Sequence, residues 1–230
     1  MRVAEVFASI QGEGKLMGTP SVFVRLSGCN LRCAWCDTPY ASWQPEGPDL
    51  TIEQIVDQVD ALMGSGSHVV LTGGEPLIMP QVAELCEALK QRPWHLTVET
   101  AATLYKPLKL DLASLSPKLS NSTPRGAGQR LAAAHEQSRL NVAVIQQFID
   151  QSPAFQLKFV VAAESDLEEV RQILAQLRRW RPCDVLLMPE GTDAPTLARR
   201  APWVVRQCQA MGFRYCPRLQ VELYGNRRGV

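Results

Sequence analysis

The chain has 230 residues, 46% of them apolar and 20% charged, which suits one ordinary domain with its own core and excludes an intrinsically disordered chain. Its formal net charge of +1 gives no whole-molecule pull toward nucleic acid or anionic membrane. No apolar run approaches the roughly 20 residues of a membrane span and Met1-Arg2-Val3-Ala4-Glu5 lacks the layout of a signal peptide, so a cytoplasmic protein that engages neither membrane nor nucleic acid is expected.

With no internal repeat, low-complexity tract or long linker, residues 1–230 are expected to form a single domain. Val22 to Leu26 reads as a short strand. Thr51 opens a helix, with Gln54 placed to complete a capping box. Ile52, Ile55, Val56, Val59, Leu62 and Met63 recur at helical spacing, and Gly64 suits the stop. His68 to Leu71 is the next strand, and a helix from about Pro80 to Lys90 gathers Val82, Leu85, Cys86 and Leu89 on one face. Strand His95 to Glu99 is followed by a stretch with no convincing helix. Leu108 to Leu115 alternates like a strand, and Arg139 to Asp150 supplies a helix. Phe155 to Val161, Leu167 to Trp180, Val185 to Met188 and Thr196 to Met211 continue the alternation, with Pro202 expected to break or kink the last helix. Phe213 to Val221 reads as a closing strand.

Repeated βα units imply an α/β fold with a parallel sheet and helices outside it. About six units, against the eight of a full barrel, imply a partial, open TIM-like barrel. In such folds the active site lies beyond the carboxyl ends of the strands, and every chemically suggestive segment falls there. These segments are the loop of Cys29, Cys33 and Cys36, then Thr72-Gly73-Gly74-Glu75-Pro76, Glu99-Thr100, Ser116-Pro117-Lys118 and Pro189-Glu190.

Seven cysteines is an odd number, and a chain of this size needs no disulfide staples, so buried, catalytic or metal-binding roles are expected. Three of them have the spacing C-x3-C-x2-C, compact enough to wrap one soft-metal site, either zinc or an iron–sulfur cluster. A structural zinc site wants a fourth Cys or His at matching spacing, and none is near. Three thiolates on a four-iron cube leave one iron open to chelation by the amino and carboxylate groups of a methionine moiety. Trp35 inside the loop can shield such a cluster.

This spacing, followed by Gly-Gly-Glu-Pro, resembles the radical S-adenosylmethionine superfamily. Glu5 to Gly14, Phe23 to Cys33, Cys36-Asp37-Thr38, Thr72 to Pro76, Glu99-Thr100, Leu115 to Lys118, Leu157 to Val160 and Gly225 to Val230 resemble its 7-carboxy-7-deazaguanine synthase family. The resemblance implies a [4Fe–4S] cluster on Cys29, Cys33 and Cys36, S-adenosylmethionine as a regenerated cofactor, and assisting magnesium at Thr38. It implies ring contraction of 6-carboxy-5,6,7,8-tetrahydropterin with loss of ammonia, for queuosine and related 7-deazapurines.

By the same resemblance, Gly73, Gly74 and Glu75 face the methionine amino group. Glu99, Ser116, Pro117 and Lys118 stand near the nucleoside end, and Met188, Pro189 and Glu190 by the adenine. Ile10, Gln11, Gly12, Glu13, Arg25 and Thr72 are expected at the pterin, with Arg25 gripping its carboxylate. A flavodoxin or ferredoxin donor and a homodimer are implied too. The alternative is an activase that installs a glycyl radical on a partner enzyme, which shares the cysteine spacing and the glycine turn.

Two departures from the family pattern stand out: Ala101-Ala102 where Asn-Gly is common, and Val221-Glu222 where some members have Thr-His. The remaining cysteines and His68, His95 and His135 read as structural, and the tail from Tyr224 to Val230 as a solvated basic end.

Overall fold

The computed structural model describes residues 1–230. Its eight strands form one sheet whose spatial order follows the chain: β1 (Val3–Ile10), β2 (Pro20–Leu26), β3 (His68–Gly73), β4 (His95–Thr100), β5 (Leu112–Leu115), β6 (Phe155–Val161), β7 (Val185–Pro189) and β8 (Arg214–Tyr215). β1 runs antiparallel to β2, every later pair is parallel, and β1 and β8 are the unpaired edges of an open barrel. The helices are α1 (Pro39–Ser42), α2 (Ile52–Met63), α3 (Val82–Leu89), α4 (Gln129–Ser138), α5 (Val142–Gln151), α6 (Glu164–Ala175), α7 (Ala194–Met211) and α8 (Leu219–Tyr224). No helix is long and apolar enough to cross a membrane.

Side-chain caps set several boundaries. Thr51 and Gln54 form the expected reciprocal pair at the start of α2 (3.2 and 2.9 Å), Asn141 caps α5 and Asp193 caps α7. Strands buried on both faces read as continuous apolar runs, as Val69-Val70-Leu71 does.

The structure differs most from the sequence expectation at four places; in addition β5 starts only at Leu112, and α6 runs from Glu164 and stops at Ala175. Val3–Ile10 is a strand, an eighth one ahead of the expected first. α7 runs unbroken through Pro202; both Pro202 and Ala198, whose carbonyl loses its helical donor, are exposed, so water can satisfy that carbonyl. The closing strand is only Arg214–Tyr215; Pro217 has no amide to offer a ladder, and the chain turns into α8. Finally, α4 precedes α5, separated from it by Arg139-Leu140-Asn141, where a single helix from Arg139 was expected.

The loop between β1 and β2 reaches across to β6 and to the C-terminal segment. Lys15 donates from its backbone to Gln156 (2.7 Å) and from Nζ to Asp184 (2.7 Å) and the Phe155 carbonyl (2.8 Å). Gly14 N–H donates to Cys216 Sγ (3.2 Å) and Leu219 N–H to the Gly12 carbonyl (3.0 Å). These contacts bring Gln11 to Glu13 over the carboxyl ends of the strands.

Candidate active site

One cavity of about 460 Å³ opens at those strand ends. Cys29, Cys33 and Cys36 border one part of it. Ile10, Gln11, Gly12, Glu13, Arg25 and Thr72 line another, and Thr38, Gly73, Gly74, Glu99, Ser116, Lys118 and Met188 also face it. Four expected residues do not: Glu75 and Pro117 lie behind the wall, while Pro189 and Glu190 border a small side recess with Trp35 and Asp37.

The cysteine loop leaves β2 and is fastened at its base. Gly28 N–H donates to the Ala41 carbonyl (2.7 Å), Trp43 Nε1 to the Cys33 carbonyl (3.1 Å) and Leu31 N–H to Cys29 Sγ (3.3 Å). All three cysteines are free, and the cavity lining holds no fourth Cys and no His. Burial, with a smaller contribution from neighbouring cysteines, pushes the Cys29 thiol up to about 12 and the Cys33 thiol up to about 11. Such thiols ionise only against strong local positive charge, which bound iron provides. Three donors with no fourth fit a cluster that keeps one iron open, and do not complete a four-ligand zinc site.

The Gly-Gly-Glu turn also braces the wall of the cavity. A Cβ on Gly74 would lie 2.2 Å from the Gly28 carbonyl oxygen and 2.8 Å from Cys29 Cβ, and one on Gly73, at φ +146, would lie 2.1 Å from the Leu26 carbonyl oxygen. The glycines therefore let the end of β3 press against the cysteine loop itself; Glu75 N–H donates to the Gly28 carbonyl (2.9 Å). The Glu75 side chain is fully buried. It accepts from Thr100 Oγ1 (2.7 Å), Ala101 N–H (2.8 Å) and Leu77 N–H (3.1 Å), tying β3 to β4. Burial raises its pKa although these donors oppose the shift. In the departure from the family pattern, Ala102 sits buried at φ +55, a left-handed conformation that an Asn-Gly pair adopts more cheaply. Thr100 Oγ1 accepts its amide (2.9 Å).

Lys118 curls back to Ser116, donating to its carbonyl (2.7 Å) and Oγ (2.9 Å), with Nζ 6.0 Å from the Trp35 ring centre. Glu190 is engaged by Arg200. Thr38 precedes α1 without capping it.

The polar part of the cavity is a charge network. Glu13 is paired with both Lys158 and Arg218 and accepts from Gln220 (2.8 Å). Burial works to raise its pKa, but the two cations outweigh that and hold it well below the carboxylate range. Arg218 also pairs with Asp37, just beyond Cys36. Glu99 accepts from Gln11 Nε2 (3.2 Å) and Thr72 Oγ1 (2.9 Å), so it stands with the residues expected at the pterin. Arg25 Nε donates to Glu5 (2.7 Å), which also accepts from Tyr40 (2.7 Å). The terminal nitrogens of Arg25 have no protein acceptor. Phe7 and Phe23, stacked 5.0 Å apart, supply a flat apolar wall.

Sequence reading did not place Lys158 and Arg218 in this network: Leu157 to Val160 carried a resemblance without a role for Lys158, and Arg218 stands in no motif. It also set the tail aside as solvated. Gly225 to Val230 borders the cavity, with Arg228 4.2 Å above the Tyr40 ring and within 3.4 Å of Glu5.

An open βα barrel with three cysteines on the cavity at its strand ends defines a radical S-adenosylmethionine enzyme, and residues 23–117 match the Radical SAM superfamily. The solved structures agree in fold: QueE from Escherichia coli gives a TM-score of 0.66 at 24% identity, covering 95% of this chain and 93% of that one. Streptococcus suis SuiB bound to S-adenosylmethionine gives 0.53 at 13% identity, covering 88% and 53%. The chain is 46% identical to the 7-carboxy-7-deazaguanine synthase of Rhodopirellula baltica over 99% of its own length and 88% of that protein. The corresponding figures for the Halobacterium salinarum enzyme of the same name are 43%, 97% and 90%. The chain belongs to the 7-carboxy-7-deazaguanine synthase family.

Proposed function

We propose that this cavity converts 6-carboxy-5,6,7,8-tetrahydropterin into 7-carboxy-7-deazaguanine and ammonia. The observation that carries the reading is the pairing, within one cavity, of a three-cysteine loop with an anion-ready arginine beside an aromatic wall. When bound, the cluster supplies the electron that cleaves S-adenosylmethionine to a 5′-deoxyadenosyl radical. The residues of this chain bind and orient. Arg25, immobilised through Nε by Glu5, offers its two terminal nitrogens to the substrate carboxylate. Phe7 and Phe23 pack against the flat ring. Glu99 accepts only two hydrogen bonds from the protein, which leaves acceptor capacity for the donor-rich aminopyrimidine edge. Ser116 and Lys118 serve the nucleoside, Met188 the adenine, and the Gly73-Gly74 backbone the methionine end. The hydroxyl of Thr38 would hold magnesium, a hard ion that favours oxygen ligands. A flavodoxin or ferredoxin donor and a homodimer belong to the same reading. An activase would need access for a partner's glycyl loop, whereas this cavity is lined with groups suited to a small acid.

Arg25 tests the reading. Truncating one member of a buried charge pair costs about 2–5 kcal/mol, so Arg25→Ala should lower kcat/KM for the tetrahydropterin acid by about two to three decades. Arg25→Lys, which keeps the charge but loses the fork, should lose about one decade. Substrate-independent cleavage of S-adenosylmethionine should persist in both. Parallel loss of both activities would place Arg25 with the cluster and not with the substrate.

A further inference from the structure

His135 is the one buried residue of α4, a helix otherwise largely exposed, and nothing in the reaction above uses it. Its ring is bonded on both sides. Nδ1 lies 3.1 Å from the backbone nitrogen of Arg32, in the cysteine loop, and Nε2 lies 2.9 Å from Ser122 Oγ. A backbone amide can only donate, so Nδ1 is the bare nitrogen and Nε2 carries the hydrogen. Ser122 passes its own hydroxyl hydrogen to the Leu119 carbonyl (2.6 Å), which completes a chain that fixes the tautomer. The Ser122 carbonyl in turn accepts from Ala34 N–H (2.8 Å). The loop is thus gripped at residues 32 and 34, on either side of Cys33.

We propose that His135 is a positioning residue for the cluster: its Nδ1 claims the Arg32 amide and so fixes the peptide between Cys29 and Cys33. The proposal rests on the reading of that loop as the cluster site. Amides in such a loop otherwise turn to sulfur, as Leu31 N–H does to Cys29, and hydrogen bonds to sulfur tune a cluster's potential. Diverting the Arg32 amide to an imidazole sets both the loop's shape and the number of donors that the sulfurs receive.

The test is the rate at which anaerobically reconstituted protein loses iron to a ferrous chelator, with the EPR spectrum of the reduced cluster as a second readout. An Asn side chain places its carbonyl oxygen where Nδ1 stands, while Gln reaches the position of Nε2. His135→Asn should keep the acceptor, lose iron within about threefold of the wild-type rate and retain the wild-type spectrum. His135→Gln leaves the Arg32 amide free and should lose iron about tenfold faster, the equivalent of one hydrogen bond, with shifted g-values. A merely structural histidine would be disturbed equally by both changes. Equal rates for His135→Asn and His135→Gln would overturn the proposal, and so would wild-type spectra in both. Should either variant fold poorly, Ser122→Ala, which removes only the tautomer-fixing hydroxyl, should still accelerate iron loss by about threefold; an unchanged rate there would also count against it. A wild-type protein that takes up no cluster would overturn the underlying reading instead.

Discussion

Cys33→Ala is expected to abolish reductive cleavage of S-adenosylmethionine, while Cys208→Ala leaves it intact. Cys33 is the most buried of the three loop cysteines and packs with Leu31 and Ala101 against the end of β4. Removing an outer partner of a metal ligand already costs about 10–100-fold in affinity or activity, so removing a ligand should cost more. Two thiolates cannot hold a four-iron cube with one differentiated corner. Cys208 lies on α7 within the main core, away from the cavity, and its loss should affect only packing. The measurement is 5′-deoxyadenosine formed under a strong reductant, together with iron content. Wild-type levels of both in Cys33→Ala would remove the cluster assignment.

The second large effect is expected at Glu13. Its carboxylate joins Lys158 and Arg218, all three nearly buried. Glu13→Gln keeps the shape but strips the buried Lys158 of its carboxylate partner and leaves Arg218 with Asp37 as its remaining one. Breaking a buried pair in this way costs about 3–5 kcal/mol, a drop in Tm of roughly 6–20 °C for a domain of this size. The sign of the pH dependence follows from the depressed pKa. Glu13 stabilises the fold fully above its ordinary value of 4.5, and this contribution is lost as the pH falls toward the lower folded-state value. In thermal melts between pH 7 and pH 3 the gap between wild type and Glu13→Gln should therefore stay constant down to about pH 5 and narrow below it without closing, because the folded-state value lies lower still. A constant gap at every pH would mean that Glu13 carries no charge-dependent stability.

Much of the barrel was legible because parallel strands and their helices have distinct periods: Val69-Val70-Leu71 is apolar throughout, and α2 shows its capping box and apolar stripe in sequence. β1 was not legible as a strand. Glu5 and Phe7 on it face the cavity, so function interrupts the alternation that marks a half-buried strand. α4 was missed for a related reason, since a helix that buries one histidine has almost no apolar face. The cysteine loop and the strand-end motifs could be read because close spacing is visible in one dimension. The partners of Glu13 could not: Lys158 and Arg218 are 145 and 205 residues away, and only the fold brings them together. Glu75 shows the opposite case. Its motif is plain in the sequence, yet three donors from neighbouring segments turn the carboxylate inward to brace the wall.

The central claim is the reaction, and one incubation tests it most directly. Reconstituted wild-type protein, held anaerobic with reductant, magnesium, S-adenosylmethionine and 6-carboxy-5,6,7,8-tetrahydropterin, should release 7-carboxy-7-deazaguanine and ammonia in equal amounts, identified by mass. S-Adenosylmethionine cleavage without that product would leave the radical chemistry standing and contradict the assigned substrate.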